Sequence, residues 1–259
     1  MCTLVLAWQV FADMPLAVAA NRDEALGRPS EPPARREWGT SVIAPRDAEA
    51  GGTWIGYNEH GLFVGITNRW LSDPPTSERS RGQLVRDALG HETAEAATRA
   101  VERALERDSY DGFNLVVADE NAALYVEWDG QVSVRQFQPG VHVVVNVGAD
   151  GAYTIPEHRP TVAERQGQNA DAVRTALQPA PGETAGEWID RAATVVADHD
   201  YGVCVHGLPA DVAATEGPAD HDFGTRSSSL ITIGEQGMTY RFATGPPCSN
   251  EYRAVEGQL

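Results

Sequence analysis

The order of strand-like and helix-like segments is the feature that most restricts the fold of this chain. Apolar, β-branched and aromatic runs with turn signals between them predict strands at residues 3–11, 16–20, 53–57, 62–67, 113–118, 123–128, 132–137, 141–145, 201–205, 228–233 and 238–243. Periodic apolar residues predict helices at 78–89, 92–107, 161–177 and 184–197, while the proline-rich segment 27–37 and residues 72–77 are predicted loops. The strands come in groups rather than in βαβ alternation. This order predicts an α+β fold with antiparallel sheets and segregated helices.

The charge of the chain is strongly acidic. Its 259 residues hold 37 Asp and Glu against 20 basic residues, all of which are Arg, and the formal net charge is −17. A chain without a basic stripe is not suited to neutralise phosphates, so nucleic-acid and anionic-membrane partners are not expected. An acidic, lysine-free composition is typical of adaptation to high salt, in which salt screens the repulsion between carboxylates. We therefore predict a halophilic protein whose stability depends on molar salt; an acidic mesophilic protein is the alternative.

Length, cysteines and the N-terminus indicate the class of protein. The 259 residues suit one domain, 1–259, that can bury a real core. The three cysteines form no CxxC pair, so neither a disulfide framework nor a zinc ribbon is predicted. There is no signal-peptide pattern and no apolar run of ~18–20 residues, so membrane insertion is not expected and a cytoplasmic location is predicted.

The chain begins Met1-Cys2-Thr3. Cys is small enough at the second position for the initiator Met to be removed, which would leave Cys2 as the mature N-terminus. An N-terminal Cys combines a nucleophile with a base, because its thiol (pKa ~8.5) and its α-amine (pKa ~7.7–8.0) can exchange a proton near neutral pH. A small second residue also occurs by chance in many proteins, so this feature gains its weight from the motifs that follow.

Several short motifs occur in a fixed order from Cys2 to about Ser229. They are Met1-Cys2-Thr3-Leu4, Asn21-Arg22-Asp23-Glu24, Arg28-Pro29, Gly51-Gly52-Thr53-Trp54-Ile55-Gly56, Gly65-Ile66-Thr67-Asn68, Arg81-Gly82, Gly112-Phe113-Asn114-Leu115 and Gly224-Thr225-Arg226-Ser227-Ser228. The ordered set resembles the NRDE family, which takes its name from the tetrapeptide and includes proteins like transport and Golgi organisation protein 2. That family is in turn similar to cysteine-type N-terminal-nucleophile hydrolases of the choloylglycine hydrolase and penicillin V acylase kind.

The resemblance implies a four-layer αββα sandwich of two antiparallel sheets flanked by helices. It also implies a set of catalytic residues, in which Cys2 is the nucleophile and Asp23 orients the terminal amine. Asn68 and Asn146 match residues that hold the oxyanion, and Arg226 matches a late arginine near the nucleophile, where it would lower the thiol pKa. We further predict that Arg22, Trp54 and Asn21 contact the substrate.

Each of these residues also has a purely structural interpretation. Asp23 and Arg22 can form a loop ion pair, the two asparagines can cap turns, and Arg226 can pair with any carboxylate at the surface. The Gly51-Gly52-Thr53-Trp54 segment predicts a tight turn with a packing Trp, not a phosphate loop, because no Lys follows.

Three functions remain open at the level of sequence. The first is an amidohydrolase or acyltransferase that acts on a small amide or lipid-like substrate through Cys2 without a cofactor. The second is a non-catalytic protein that binds a hydrophobic or haem-like ligand. The third is a metal site at His199, Cys204 and His206 with His221 nearby, but no second conventional pair of ligands exists, so no metal is predicted and these are expected to be packing and turn residues.

Overall fold

Two antiparallel sheets lie face to face in the computed structural model, which describes residues 2–75, 77–207, 223–235, 237–257 and 259. The first sheet contains eight strands of the described chain in the order β12-β11-β10-β1-β2-β13-β14-β15. These are β1 (Thr3–Phe11), β2 (Met14–Ala25), β10 (Gly140–Val145), β11 (Gly148–Ala149), β12 (Ala152–Tyr153), β13 (Phe223–Gly234), β14 (Gly237–Ala243) and β15 (Arg253–Ala254).

The second sheet contains seven described strands in the order β3-β4-β5-β6-β7-β8-β9. They are β3 (Ser30–Glu37), β4 (Ser41–Asp47), β5 (Ile55–Asn58), β6 (Phe63–Asn68), β7 (Phe113–Ala118), β8 (Ala123–Trp128) and β9 (Val132–Gln136). Consecutive strands pair with each other throughout, so this sheet is built largely from local hairpins.

Helices cover the outer face of each sheet. The pair α1 (Arg81–Ala88) and α2 (Ala94–Arg107) packs on the second sheet, and the pair α3 (Pro160–Ala176) and α4 (Ala185–Ala197) packs on the first. The termini of the helices are formed locally: Thr93 caps α2, and Thr184 forms a capping box with Glu187 at the start of α4. The predicted αββα sandwich is confirmed.

Apolar side chains form three clusters that correspond to the interfaces between the four layers. Leu6, Val18 and Phe63 belong to the cluster between the sheets. Val5 and Trp188 belong to the cluster under α3 and α4, whereas the cluster under α1 and α2 lies on the far face of the second sheet. Because neighbouring residues of a strand point to opposite faces, Leu4 and Leu6 face the second sheet while Val5 faces the helices.

The structure corrects two of the predicted elements. Residues 27–37 are not a loop throughout, because Ser30–Glu37 forms strand β3 at the edge of its sheet. Its two prolines lie where the register shifts between Glu31 and Ala34, and an edge strand with such a bulge tolerates residues that cannot donate a ladder hydrogen bond.

The predicted strand 201–205 is also wrong. Residues His199–Tyr201 form a short 3-10 helix, and Gly202 follows it in the left-handed conformation with φ +63°. Beside β13 the described residues of this segment form an isolated bridge, between His206 and Gly224, and no strand. None of the described helices is long and apolar enough to cross a membrane.

Candidate active site

A cavity of about 120 Å³ opens where the start of β1 meets the ends of β2 and β6. Cys2 lies in its wall, and most of the residues around it come from motifs that the sequence singled out. Its apolar wall contains Leu4, Trp54, Ile55 and Ile66, and its charged wall contains Arg22, Glu24, Arg28, Asp47 and Arg81.

Cys2 is held at both its nitrogen and its sulfur. Its backbone N–H donates to Oδ1 of Asn146 over 2.9 Å, and its thiol lies 3.6 Å from the carbonyl oxygen of Asp23. Burial raises the pKa of the thiol, and the nearby carboxylate of Asp23 raises it further, while the guanidinium of Arg22 acts in the opposite direction. In the chain that still carries Met1, Cys2 is therefore a neutral thiol at neutral pH.

Asn146 directly follows β10, and its side-chain amide makes three hydrogen bonds. Oδ1 accepts hydrogen bonds from the Cys2 nitrogen and from Nε2 of Gln166 over 2.8 Å, while Nδ2 donates to the carbonyl oxygen of Asn68 over 2.7 Å. Nδ2 carries a second N–H beyond the one that Asn68 accepts, so the oxyanion role of the Asn146 side chain stays a prediction. Asn146 fixes the nitrogen of Cys2.

Asn68 is the last residue of β6 and lines the cavity. Its side chain is exposed, and within the described part of the chain it makes no hydrogen bond of its own. The two asparagines that the sequence treated as a pair therefore differ: Asn146 holds the Cys2 nitrogen through Oδ1, and the exposed Asn68 amide can present an N–H to a bound molecule.

Asp23 is buried near the end of β2, where β13 lies beside it. Oδ1 accepts a hydrogen bond of 2.6 Å from the hydroxyl of Thr225. Burial raises the pKa of this carboxyl group above its ordinary value, and the hydrogen bond from Thr225 partly offsets the shift. The cavity thus places a carboxyl group beside the sulfur of Cys2.

Arg22 stacks on Trp54 in the cavity wall, with its guanidinium carbon 4.1 Å from the centre of the ring. Nη2 lies 3.5 Å from a carboxylate oxygen of Glu24 and 3.8 Å from one of Asp47. Nη1 is buried without a hydrogen-bond partner among the described residues. The structure therefore brings two of the predicted substrate-contacting residues together in the cavity.

The loop before Trp54 explains the double glycine of its motif. A Cβ atom on Gly52 would lie 2.1 Å from the carbonyl carbon of Gly82 in α1, so only glycine allows the two backbones to approach this closely. The N–H of Thr53 then donates to the carbonyl oxygen of Gly82 over 2.9 Å. This contact supports the structural interpretation of the motif and fixes Trp54 beside the cavity.

Two predicted site residues are not part of this side-chain group. Asn21 adjoins the cavity, but its Nδ2 donates to the carbonyl oxygens of Val196 and Val203, each over 2.8 Å, so its side chain faces α4. Arg226 lies at the bulge of β13 between Thr225 and Ser227 and does not line the cavity. Among the arginines, Arg22 and not Arg226 lowers the pKa of the Cys2 thiol.

Sequence reasoning missed three contributors. Gln166 on α3 and Thr225 on β13 hold Asn146 and Asp23, and Arg81 at the start of α1 lines the cavity and donates to the carbonyl oxygen of Gly112. Thr225 and Arg81 lie in or next to recognised motifs, whereas Gln166 lies in a helix whose sequence gave no functional signal. Of the two segments predicted as loops, residues 27–37 contribute Arg28 to the cavity, and the described residues of 72–77 contribute none.

Comparison with known protein families shows to which family the chain belongs. A model of the family described as Transport and Golgi organisation 2 matches residues 1–243. The chain belongs to this family. The Transport and Golgi organization protein 2 homolog of Homo sapiens is 33% identical over 113 residues, which cover 42% of this chain and 40% of the human protein. The Bos taurus homolog is 34% identical over 112 residues, so the alignments span less than half the length of these relatives.

Solved structures of other proteins resemble this Transport and Golgi organisation 2 family member in fold. Penicillin V acylase from Agrobacterium tumefaciens is 17% identical with a TM-score of 0.56, over 94% of this chain and 83% of that protein. The C2A mutant of conjugated bile acid hydrolase from Clostridium perfringens has a TM-score of 0.51 at 11% identity, over 99% and 97%. The Caenorhabditis elegans N-acylethanolamine-hydrolyzing acid amidase ortholog has a TM-score of 0.52 at 13% identity, over 89% and 92%. At these identities the likeness shows a shared fold.

Proposed function

We propose that Cys2, once Met1 has been removed, is the N-terminal nucleophile of an amidohydrolase or acyltransferase. The observation that carries this proposal is the 2.9 Å hydrogen bond between the Cys2 nitrogen and Asn146, whose amide is itself held by Asn68 and Gln166. After removal of Met1 the same nitrogen becomes the α-amine, and Asn146 keeps it beside the sulfur.

The α-amine supplies a base on the same residue as the thiol. No histidine lines the described cavity, and the raised pKa of the Cys2 thiol means that a proton acceptor is needed at neutral pH. In the first step the α-amine takes the thiol proton while Sγ attacks the carbonyl carbon of an amide. The negative charge then moves to the carbonyl oxygen.

The second step breaks the carbon–nitrogen bond. The α-ammonium returns its proton to the leaving amine, and the acyl group stays on Sγ as a thioester. Water, deprotonated by the same α-amine, attacks the thioester and releases the acid with regeneration of the thiol; an acyl-accepting amine in place of water gives transfer instead.

Asn68 is the candidate donor for the developing oxyanion, because its exposed amide lies in the cavity wall and is not committed elsewhere in the described chain. A donor of this kind is worth ~3–4 kcal/mol of transition-state stabilisation. Asp23 orients the α-ammonium through its buried carboxyl group. Arg22 and Arg81 supply the positive charge in a chain that contains no Lys.

The cavity wall favours a small amide that has both an apolar and a polar part. Ile55, Ile66 and the exposed face of Trp54 suit the apolar part, and the guanidinium groups of Arg22 and Arg81 in the charged wall can bind a carbonyl or carboxylate oxygen. Three proteins of the same fold are named as an acylase, a bile acid hydrolase and an N-acylethanolamine-hydrolyzing amidase, which supports amide chemistry at this position.

The test is intact-mass analysis before and after treatment with a chloroacetamide, which mimics an amide and alkylates an activated thiol. We expect the mature protein to lack Met1 and to gain one adduct, which peptide mapping assigns to Cys2 and not to Cys204 or Cys248. The Cys2→Ser variant should gain none at that position. Retention of Met1 in the mature protein would overturn amine-assisted attack.

The second candidate function is a binding protein that keeps the cavity without catalysis. It shares the observation that Cys2 is buried with a raised thiol pKa, which by itself slows attack. If no acyl donor gives a Cys2-dependent adduct, and haem or a fatty-acyl amide binds Cys2→Ala as tightly as wild type, this second function replaces the first.

A further inference from the structure

Two histidines and two cysteines meet at a second place, outside the cavity. His199 comes from the 3-10 helix, Cys204 and His206 from the segment after it, and Cys248 from the turn that follows β14. One ligand atom from each of the four lies within 4.8 Å of the others. Cys204 is buried, and the other three residues are exposed.

The individual contacts converge on the His206 ring. Its Nε2 lies 3.0 Å from Sγ of Cys248 and 3.8 Å from Sγ of Cys204. The rings of His199 and His206 meet edge to face, with centroids 5.1 Å apart. Four nitrogen and sulfur donors are thus gathered from segments that are 42 residues apart in the chain.

Two thiolates and two imidazoles are a ligand set that suits zinc. With Zn–S bonds of about 2.3 Å and Zn–N bonds of about 2.0–2.1 Å, tetrahedral ligand atoms lie roughly 3.3–3.8 Å from each other. The observed separations, from 3.0 Å to at most 4.8 Å, bracket this range, so a small contraction around an ion completes the geometry. We propose that His199, Cys204, His206 and Cys248 bind one Zn²⁺-like ion.

The expectation that His199, Cys204 and His206 are packing and turn residues rested on the lack of a second ligand pair. The structure supplies the fourth ligand, Cys248, from a distant segment. His221, the other residue considered there, lies outside the described residues.

Because all four ligands come from the protein, the site is closed, and its role is structural rather than catalytic. It joins the turn at Cys248 to the segment that pairs with β13. In that segment the Val205 N–H donates to the hydroxyl of Thr225, and the Thr225 N–H donates to the Val205 carbonyl oxygen, both over 2.8 Å. The same hydroxyl donates to Asp23, so the ion would fix the strand that supports the cavity.

A disulfide between Cys204 and Cys248 is the competing use of these thiols. It would leave without a function the imidazole of His206, which contacts both sulfurs, and the imidazole of His199, which packs against it. Intact mass distinguishes the two, since a disulfide lowers the mass of the metal-free chain by two hydrogens whereas a metal site keeps both thiols reduced.

The experiment is metal analysis of the reduced, full-length protein after demetallation and reconstitution with Zn²⁺ alone or Co²⁺ alone. We expect about one equivalent of metal per chain, and intense Co²⁺ absorption that reports tetrahedral thiolate ligation. Cys248→Ser and His206→Gln should weaken Zn²⁺ affinity by more than the ~10–100-fold that loss of an outer-shell partner causes. Cys2→Ser is the matched control and should keep full stoichiometry.

Two results would overturn the proposal. One is a protein that takes up no Zn²⁺ or Co²⁺ after reduction. This holds also where the intact mass of the purified protein, before reduction, shows a Cys204–Cys248 disulfide. The other is metal uptake that Cys248→Ser and His206→Gln leave unchanged. The measurement does not depend on hydrolysis, so its outcome is separate from that of the proposed amide chemistry.

Discussion

Cys2 and Cys204 have different neighbours in the folded chain. Cys2 lies beside an amide, a carboxyl group and an arginine, with no other sulfur and no imidazole lining the described cavity. Cys204 lies beside a second thiol and two imidazoles. A nucleophile needs one thiol, space for a substrate and a base, whereas a metal ligand needs further donors that point at the same spot. The surroundings, not the residue type, separate the two functions.

The largest effects are expected from two single substitutions, Cys2→Ala in the cavity and Cys248→Ser in the proposed metal site. Cys2→Ala should abolish both alkylation of residue 2 by a chloroacetamide and its acylation by p-nitrophenyl acetate, and amide turnover should fall on the order of 10⁶-fold, as for loss of a catalytic nucleophile. The same variant should keep its metal. Cys248→Ser should show the converse, with metal lost and Cys2 still labelled. A variant that loses both properties would show that the two regions are one unit.

Asn146→Ala tests whether the cavity depends on positioning the Cys2 nitrogen. The change removes the acceptor of two buried N–H groups and the donor to Asn68, so we expect about 1–3 kcal/mol of lost stability for each group left unsatisfied. Misplacement of the nucleophile should lower the labelling rate of Cys2 by ~10²-fold.

The exposed Asn121→Ala is the matched control for Asn146→Ala, and Gln166→Ala is a milder variant in case Asn146→Ala does not fold. Gln166→Ala should slow labelling less than Asn146→Ala does. If both variants label at the wild-type rate while their thermal unfolding shifts, the network has only a structural role.

The pH dependence of alkylation tests the role of the free amine. A form with an N-terminal extension keeps Cys2 as an internal residue, and burial then holds its thiol pKa above that of a peptide thiol, which is about 8.5. Iodoacetamide should therefore react with it slowly at neutral pH, with a rate that still rises after an exposed peptide thiol has levelled off. Removal of Met1 should move the profile to lower pH. Identical profiles for the extended and trimmed forms would contradict a catalytic amine.

Gly52→Ala gives the smallest of these effects. It should disturb the cavity, which lies beside Gly52, and leave the proposed metal site unchanged. The new methyl group meets the backbone of Gly82, and we expect a loss of ~1–3 kcal/mol in stability with slower labelling of Cys2, because Trp54 moves with the loop. Gly27→Ala is the control, since nothing lies within 4 Å of its added carbon. Thermal unfolding measures the first effect, and metal stoichiometry should be the same in both variants. Equal unfolding temperatures would show that the close approach is not needed.

Much of the scaffold was predictable because it depends on local pattern. The hairpin of β1 and β2 and the four helices follow from alternation, periodicity and capping residues that lie close together in the chain. Strand β3 was not predictable, because its prolines resemble a loop until the sheet shows that they lie on an edge. The prediction for the segment after α4 was wrong for the opposite reason. Its apolar residues indicated a strand, but Gly202 turns the chain.

The sequence identified most of the cavity residues, but it did not predict which contact each of them makes. The sequence alone determined that Cys2, Asp23, Asn68 and Asn146 lie at or near strand ends, because that is a matter of order along the chain. Only the tertiary structure decided that Asn146 holds the Cys2 nitrogen, that Arg22 rather than Arg226 faces the thiol, and that Cys248 joins His199, Cys204 and His206. Hydrogen bonds and metal ligands act over about 2–4 Å in space, and sequence spacing carries no record of which distant segments the fold brings that close.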